Sequence, residues 1–341
     1  MNNILRFVGC LCLVALLAMT MGCGDNKGLR RVAVGFANSS ASWQRNGETI
    51  RNTLQAEGYV VDLAFADSAD EQKKQLAEMI DTEPGCLVIG AVDSTALKDT
   101  LREAKEKNIP VIAYDRLVMD TDAVSYYASW DNEAVGEAMG QYIEAKLNLK
   151  SGAGGYNIEI FAGDPADNNA HLFYDGAMKI LRPYIDNGQL ICPTLETSFE
   201  QTATKDWNPQ NAKQRMTRIY NDHYSEGAPL DAVLAPNDNV ANAIITALDE
   251  AGYAQGTPLI TGQDGDATAI TNIKAGKQTF TIYKNPADLA GKCVRMIKAV
   301  VEGTQPDIND VTTYNNGQIV VPAYLCVPFI VDENNLDMIK P

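Results

Sequence analysis

Short apolar runs alternate with amphipathic segments along most of the chain, and this alternation predicts strands followed by helices. In the first third, strands are predicted over 32–36, 59–65, 86–89 and 111–114, and helices over 42–57, 70–80 and 94–107. Ser94 is expected to cap the third helix, and Pro110 to begin the fourth strand. Strands that alternate with helices of this length are typical of βαβ units around a parallel sheet.

The same pattern restarts after residue 131 and predicts a second lobe of the same kind. Helices are predicted over 132–147, 170–181, 211–220, 239–251, 267–275 and 286–301, and strands over 157–162, 231–235, 259–261 and 279–283. Residues 318–331 are rich in β-formers, and they predict strands over 319–321 and 325–331. No low-complexity linker separates the halves. We therefore expect two similar, Rossmann-like α/β lobes joined by strands that cross between them.

Aromatic and polar side chains gather near the ends of these predicted strands. They are Trp43, Asp115 with Arg116, Asp167 with Asn168 and Asn169, Trp207, Asn237 with Asp238, Gln263 with Asp264, and Lys284. In open α/β sheets, ligands bind in the crevice outside the carboxyl ends of the strands, so these residues are expected to share one site. Two indoles among Asp, Asn, Arg and Lys side chains favour a small polyol with an apolar ring face.

The first 22 residues have the pattern of an export signal. Arg6 gives a positive charge, an apolar stretch follows over 7–19, and small residues lead to Gly22 and Cys23. The apolar stretch is shorter than the roughly 20 residues that a membrane span needs. Gly22 with Cys23 resembles the lipobox of bacterial lipoproteins, which implies a lipid on Cys23 and a short tether over 23–30. The alternative is an ordinary secretory signal with a chance cysteine.

Charge and cysteine spacing exclude two classes of site. The 341-residue chain has a net charge of −16, which argues against nucleic acid, because nucleic acid requires a basic surface. Beyond Cys23, the remaining cysteines show no CxxC spacing, so no zinc site is expected. These cysteines are expected to be buried as small apolar side chains: Cys86, Cys192, Cys293 and Cys326.

The sequence lacks the motifs that would carry catalysis. It has no GxSxG, Walker A or HExxH pattern, and the turn after residue 36 lacks the glycines of a dinucleotide loop, so no cofactor is expected. Carboxylate pairs such as Asp264 and Asp266 leave a glycosidase-like reaction formally open, and turnover of a chromogenic glycoside would reveal it. We predict a binding protein rather than an enzyme.

Several stretches together resemble the bacterial periplasmic sugar-binding proteins of the ribose, xylose and galactose class, above all the multiple-sugar-binding and D-xylose-binding members. The stretches are 111–116, 126–132, 164–170, 236–238 and 262–264, with 173–178 and 320–325 in addition. This resemblance implies a type I fold, in which three crossover strands join two lobes and the sugar lies between them. The first lobe would comprise 30–131 with 285–315, and the second 132–284 with 316–341.

The resemblance also implies a set of ten ligand-binding residues. The two indoles would cover opposite faces of a pyranose, the carboxylates and amides would bond its hydroxyls, and the two cations would donate to its oxygens. The set is Trp43, Asp115, Arg116, Asp167, Asn168, Asn169, Trp207, Asn237, Asp264 and Lys284. One position departs from the family pattern: relatives often have Arg beside the first tryptophan, where this chain has Ser42, with Arg45 two residues after Trp43. The departure bears on which sugar is bound.

The leading hypothesis is therefore an exported, lipid-anchored and monomeric receptor for an aldopentose or aldohexose, which serves the permease of an ABC importer. A second hypothesis is that the sugar-loaded form is presented to a sensor kinase or chemoreceptor. A third is a receptor of the same fold for another small polar ligand, such as a furanone signal or a nucleoside. A repressor of the same fold is excluded by the export signal and by the lack of an N-terminal helix-turn-helix.

Replacing Cys23 by Ser should release the protein from membranes, because the thiol that carries the lipid is removed. Wild-type protein should sediment with membranes and incorporate radioactive palmitate, whereas Cys23→Ser should be soluble and unlabelled. Cys10→Ser, inside the signal, is the matched control and should behave as wild type. A soluble, unlabelled wild-type protein would contradict the lipid anchor.

Overall fold

The structure is a computed structural model that describes residues 30–38 and 41–339, so the export signal and Cys23 lie outside the described residues. Within the described part of the chain, no helix is long and apolar enough to cross a membrane. The four cysteines that were expected to be buried are buried there, and all four are free thiols, which confirms that prediction.

Strands and helices alternate as the hydrophobic pattern predicts. The first half contains β1 (Arg31–Ala37), α1 (Ala41–Ala56), β2 (Val60–Ala66), α2 (Ala69–Asp81), β3 (Cys86–Gly90), α3 (Lys98–Glu106), β4 (Val111–Tyr114), β5 (Val124–Trp130), α4 (Asn132–Lys146), β6 (Tyr156–Ile160) and α5 (Asn168–Asp186). The second half contains β7 (Leu190–Ile191), α6 (Phe199–Thr202), α7 (Pro209–Ile219), β8 (Ala232–Leu234), α8 (Asp238–Ala251), β9 (Leu259–Ile260), α9 (Ala267–Lys274), β10 (Phe280–Tyr283), α10 (Pro286–Val301), β11 (Ala323–Cys326) and β12 (Phe329–Asp332).

The first lobe is built on a six-stranded parallel sheet in the order β11-β5-β4-β3-β1-β2. Successive side chains of a strand point to opposite faces, so β1 supplies both cores of this lobe. Val34 and Phe36 belong to the cluster that includes residues of α1 and α10, and Ala33 to the cluster that includes residues of α2 and α3. Both faces are therefore covered, as a parallel sheet requires.

The second lobe has a parallel sheet in the order β7-β6-β8-β9, and a bridge between Gln263 and Ile282 places β10 next to its edge. The final strand, β12, pairs antiparallel with β10. Ile158 and Leu234 pack with residues of α4 and α5 on one face, and Val233 packs with α7 and α8 on the other. The expectation of two α/β lobes with parallel sheets is confirmed.

The chain crosses between the lobes three times within the described residues, at 130–132, 283–286 and 326–329. The third crossing corrects the expected lobe boundary, because β11 pairs with β5 in the first sheet and only β12 lies in the second lobe. The single strand predicted over 325–331 is thus two strands in two sheets. Pro328 lies between them and cannot donate a hydrogen bond to a ladder.

The structure differs from the predicted elements at three other places. Strand β5 was not predicted, although Val124–Trp130 is rich in aromatic and β-branched residues. Residues 319–321 form no strand, and Val320 makes only an isolated bridge to Asn315. Ser94 does not cap α3, which begins at Lys98 after Leu97. The segment between β3 and α3 instead forms a turn that reaches the other lobe.

Helices α4 and α5 pack closely because glycines lie where their backbones meet, and this contact yields a test of stability. A Cβ added at Gly136 would lie 2.1 Å from the Phe173 carbonyl oxygen, so Gly136→Ala should lower the free energy of unfolding by about 1–3 kcal/mol. Gly291 in α10 is the matched helical glycine, because its added Cβ would meet only the end of Arg295 at 3.7 Å. Gly291→Ala should raise stability by about 0.5–1 kcal/mol. Urea unfolding measures both, and equal effects would refute the packing argument.

Candidate functional site

A cavity of about 730 Å³ lies between the two lobes, at the carboxyl ends of their strands. This volume is within the range of small-molecule sites. Nine of the ten residues expected in the site line it: Trp43, Asp115, Arg116, Asp167, Asn169, Trp207, Asn237, Asp264 and Lys284. The tenth, Asn168, does not line the cavity.

Asp115 occupies the first-lobe wall and is held by its backbone. Its φ is +61°, a left-handed conformation that Asp tolerates better than most side chains. Its N–H donates to the Ala128 carbonyl at 2.8 Å, and its own carbonyl accepts from the hydroxyls of Tyr127 at 2.6 Å and Ser129 at 2.8 Å. The neighbouring strand β5 thus fixes the direction in which the Asp115 side chain leaves the loop.

Trp43 forms an aromatic wall on the same lobe. Its indole is almost completely buried and meets Phe36 edge-on, with 5.1 Å between ring centroids, while Phe36 in turn stacks on Tyr114. The guanidinium of Arg116 lies 5.6 Å from the Trp43 ring centroid, at cation–π range. Aromatic packing beneath Trp43 therefore fixes one ring face at the cavity before any ligand enters.

Asp167 links the second lobe to the first. Its Oδ2 accepts from the indole N–H of Trp207 at 3.1 Å and pairs with Nε of Arg116 at 2.9 Å. The side chains of Arg116 and Asp167 are both largely buried, and each comes from a different lobe. The Asn169 side chain adds a second link, because its Nδ2 donates to the Asp115 carbonyl at 2.9 Å. The structure therefore represents a closed arrangement of the lobes.

A buried carboxylate that was not among the expected ligand-binding residues positions Asp264. The Asp238 Oδ2 accepts from the backbone N–H groups of Gly265 at 2.9 Å and Asp266 at 3.0 Å, and from the Thr281 hydroxyl at 2.9 Å. Loss of solvation raises the pKa of Asp238 well above its usual range. Asn237, not Asp238, caps α8, with its Oδ1 accepting from the N–H of Val240.

The loop held in this way gives Asp264 an unusual backbone. Its φ is +101°, and its N–H donates to the Ile282 carbonyl at 2.9 Å. Of ten non-glycine residues with positive φ among the described residues, five line the cavity: Asn38, Asp115, Asp206, Trp207 and Asp264. Such conformations concentrate at functional sites, where the surrounding structure imposes them.

The cavity carries excess negative charge. Asp264 remains open to solvent in the cleft, but the surrounding protein removes part of its solvation, and this loss raises its pKa to about 6. Loss of solvation also raises the pKa of Asp115. The positive charge of Lys284 opposes both shifts, and its ammonium lies 4.5 Å from the Phe173 ring centroid. Lys284 is thus a cation whose charge lowers the pKa of both carboxyls.

Several cavity residues were not included in the expected set. Trp130 and Phe173 add aromatic surface, and both lie in stretches that carried the family resemblance. Arg45 and Asp266 line the cavity from opposite lobes, and the charge of Arg45 opposes the rise in the pKa of Asp266 that loss of solvation causes. Trp130, at the end of β5, and Arg45, two residues after Trp43, could have been found from sequence, whereas Phe173 lies inside a helix and has no separate sequence signal.

This arrangement suits a neutral ligand that is rich in hydroxyl groups. The Asp115 and Asp264 carboxylates accept hydrogen bonds, Arg116 and Lys284 donate them, and the indoles of Trp43 and Trp207 offer apolar faces. A buried polar group that lacks a partner costs about 1–3 kcal/mol, so a ligand is retained when it satisfies these groups together.

The pKa of Asp264 predicts a change in stability with pH. Because this pKa is raised from 3.8 to about 6 in the folded protein, the folded state binds a proton more tightly than the unfolded state does. The unfavourable contribution of the ionised Asp264 is thus absent below pH about 4 and complete above pH about 6.

Asp264→Asn removes this contribution, so its free energy of unfolding should exceed that of wild type at pH 7.5, by a margin that shrinks towards pH 4. Urea titrations of the sugar-free protein at both values measure the margin. Asp186→Asn, at the exposed end of α5, is the control and should show no such trend. A margin that is constant with pH would contradict the assigned pKa.

Known periplasmic proteins resemble this chain along most of its length. The family model described as "Periplasmic binding protein domain" matches residues 32–305. The multiple sugar-binding periplasmic receptor of Rhizobium radiobacter is 41% identical over 305 residues, covering 88% of this chain and 86% of the relative. The D-xylose-binding periplasmic protein of Escherichia coli is 34% identical over 295 residues, covering 86% of this chain and 84% of the relative.

A solved structure agrees with these relatives. An ABC transporter solute-binding protein from Clostridium phytofermentans, with bound β-D-glucose, has a TM-score of 0.86 and 41% identity, and the match covers 90% of this chain and 95% of that one. The relatives are binding proteins, and this chain is a binding protein rather than an enzyme. The chain therefore belongs to the type I periplasmic sugar-binding proteins.

Proposed function

We propose that this protein binds one aldopentose or aldohexose, in its pyranose form, between its two lobes and delivers it to an ABC sugar importer. The observation that carries the proposal is the pair of carboxylates on opposite lobes, Asp115 and Asp264, in a single cavity with Trp43 and Trp207. A sugar that reaches both carboxylates would tie the lobes together, which couples binding to closure.

The chemistry of a pyranose matches the cavity. Its ring presents C–H groups on its faces, which suit the indoles, and hydroxyls around its rim, which suit the carboxylates, Arg116 and Lys284. A site built to bond several hydroxyls rejects analogues that lack one, because its own polar groups are then left unpaired. The related proteins support this class of ligand. Two of them are named as binding multiple sugars and D-xylose, and the solved structure contains β-D-glucose.

Delivery to a permease and anchoring by a lipid are further parts of the proposal. Membership of a periplasmic family supports export, and the pattern of residues 1–22 supplies a signal for it. A lipid on Cys23 would keep the receptor beside its permease, on a tether formed by residues 23–30. Lobe closure would then distinguish the loaded receptor from the empty one.

Calorimetry tests the proposal most simply. Purified protein should bind one aldose molecule per chain when titrated with xylose, glucose, galactose, arabinose, ribose and fucose. A specific receptor should bind one of them with an affinity well above that for the others. A broad aldose receptor should bind several with similar affinity. The absence of binding heat with all six sugars would contradict a simple aldose as ligand. A nucleoside or a furanone would then become the leading candidate for the ligand.

Removing one carboxylate tests the site itself. Asp115→Asn keeps the shape of the side chain but loses the charged acceptor, and two charge-assisted hydrogen bonds should be lost. Each contributes about 1.5–3 kcal/mol, so affinity for the preferred sugar should fall by about 100-fold or more. The exposed Asp186→Asn should bind as wild type does, and circular dichroism should show both variants folded. Wild-type affinity in folded Asp115→Asn would contradict this site.

A further inference from the structure

The two lobes also meet outside the sugar cavity, at Ser94. This residue is 2% exposed and follows β3 of the first lobe, and it is not among the residues that line the cavity. Its N–H donates to the Ala166 carbonyl of the second lobe at 3.0 Å, and its hydroxyl oxygen accepts from the Asn168 N–H at 3.3 Å. Its own carbonyl accepts from the Met119 N–H at 2.7 Å, which ties it to the first lobe.

The contact to Asn168 has a specific physical purpose. Asn168 is the first residue of α5, and the N–H groups in the first turn of a helix have no partner within that helix. Asp167 caps the same helix, but its Oδ1 accepts from Asn169, one residue further on. Ser94 therefore satisfies the first free N–H of α5 from the opposite lobe, and it can do so only while the lobes are closed.

We propose that Ser94 is an affinity-determining latch, a positioning residue that stabilises the closed lobes without touching the sugar. This inference rests on the proposed function, in which closure accompanies binding. Polar contacts such as Arg116 to Asp167 and Asn169 to Asp115 also cross the cleft, but they involve cavity residues, and their loss would also change the contacts made to a ligand. Ser94 is separate from the cavity and acts on closure alone.

A residue of this kind has a distinctive effect on binding. The apparent dissociation constant equals the intrinsic constant divided by the fraction of molecules in the binding-competent state. Loss of the latch lowers the closed fraction, so it weakens the binding of every ligand by the same factor. A residue that contacts the sugar would instead change the ratio of affinities between two sugars.

Ser94→Ala removes only the hydroxyl acceptor and keeps the backbone contact to Ala166. Affinity should fall about three- to tenfold, the net contribution of one hydrogen bond, and by an equal factor for two different aldoses. The loss should appear in faster dissociation, because the latch forms after the sugar has entered. Thr95→Ala is the matched control, since the neighbouring Thr95 hydroxyl bonds only Asp93 within its own turn.

A measurement without sugar separates this proposal from the proposed function. Gln55 and Asn187 are exposed positions on the two lobes, and the cysteines of the described residues are buried, so dyes on Gln55→Cys and Asn187→Cys report lobe closure. Single-molecule energy transfer should show that Ser94→Ala lowers the closed fraction and that Thr95→Ala leaves it unchanged.

Each outcome has a defined meaning. Equal loss of affinity for both sugars, together with a smaller closed fraction, supports the latch. Wild-type affinity and closure in Ser94→Ala, or unequal losses between sugars, would overturn it. If the wild-type protein bound no aldose, the proposed function would fail, and the closed fraction would still decide whether Ser94 holds the lobes together.

Discussion

Asp115 and Asp264 lie in the cleft between the lobes, where the surrounding protein removes part of their solvation, and the rest of the site is organised around this loss. The pKa of each carboxyl is raised, so each ionised carboxylate accepts hydrogen bonds more strongly than a solvated carboxylate does. Each therefore needs hydrogen-bond donors. Lys284 offsets part of the charge, and Asp238 fixes the loop that carries Asp264. A ligand rich in hydroxyls supplies the missing donors without adding charge.

The fold makes this arrangement possible in two steps. Parallel sheets bring the loops after their strands to one edge, so residues far apart in sequence converge in each lobe. Three crossings then set the two edges opposite each other, and closure brings Arg116 within 2.9 Å of Asp167. The contacts of Arg116 with Asp167 and of Asn169 with Asp115 join different lobes, so opening of the lobes would break them together. Under the proposed function, ligand binding and lobe closure are thus expressions of one equilibrium.

Much of this was predictable from sequence, and the failures have local causes. The alternation of apolar and amphipathic segments predicted the lobes, and the polar residues after the strands predicted the cavity wall. The pattern could not reveal that β11 pairs with β5, because strand partners depend on tertiary packing rather than on local composition. Asn168 was misplaced for a related reason: its neighbours Asp167 and Asn169 line the cavity, and the helical turn directs it elsewhere. Ser94 was predicted to cap α3. Its hydroxyl instead accepts a hydrogen bond from the first N–H of α5, a helix of the other lobe.

The most direct test is a crystal structure of the protein with the aldose that it binds best. The account requires one pyranose in the cavity between Trp43 and Trp207, with hydroxyls within hydrogen-bonding distance of Asp115 from the first lobe and Asp264 from the second. Ser94 should keep its contact with Asn168 in that complex. A sugar bound to one lobe alone, or outside the cavity, would contradict the account.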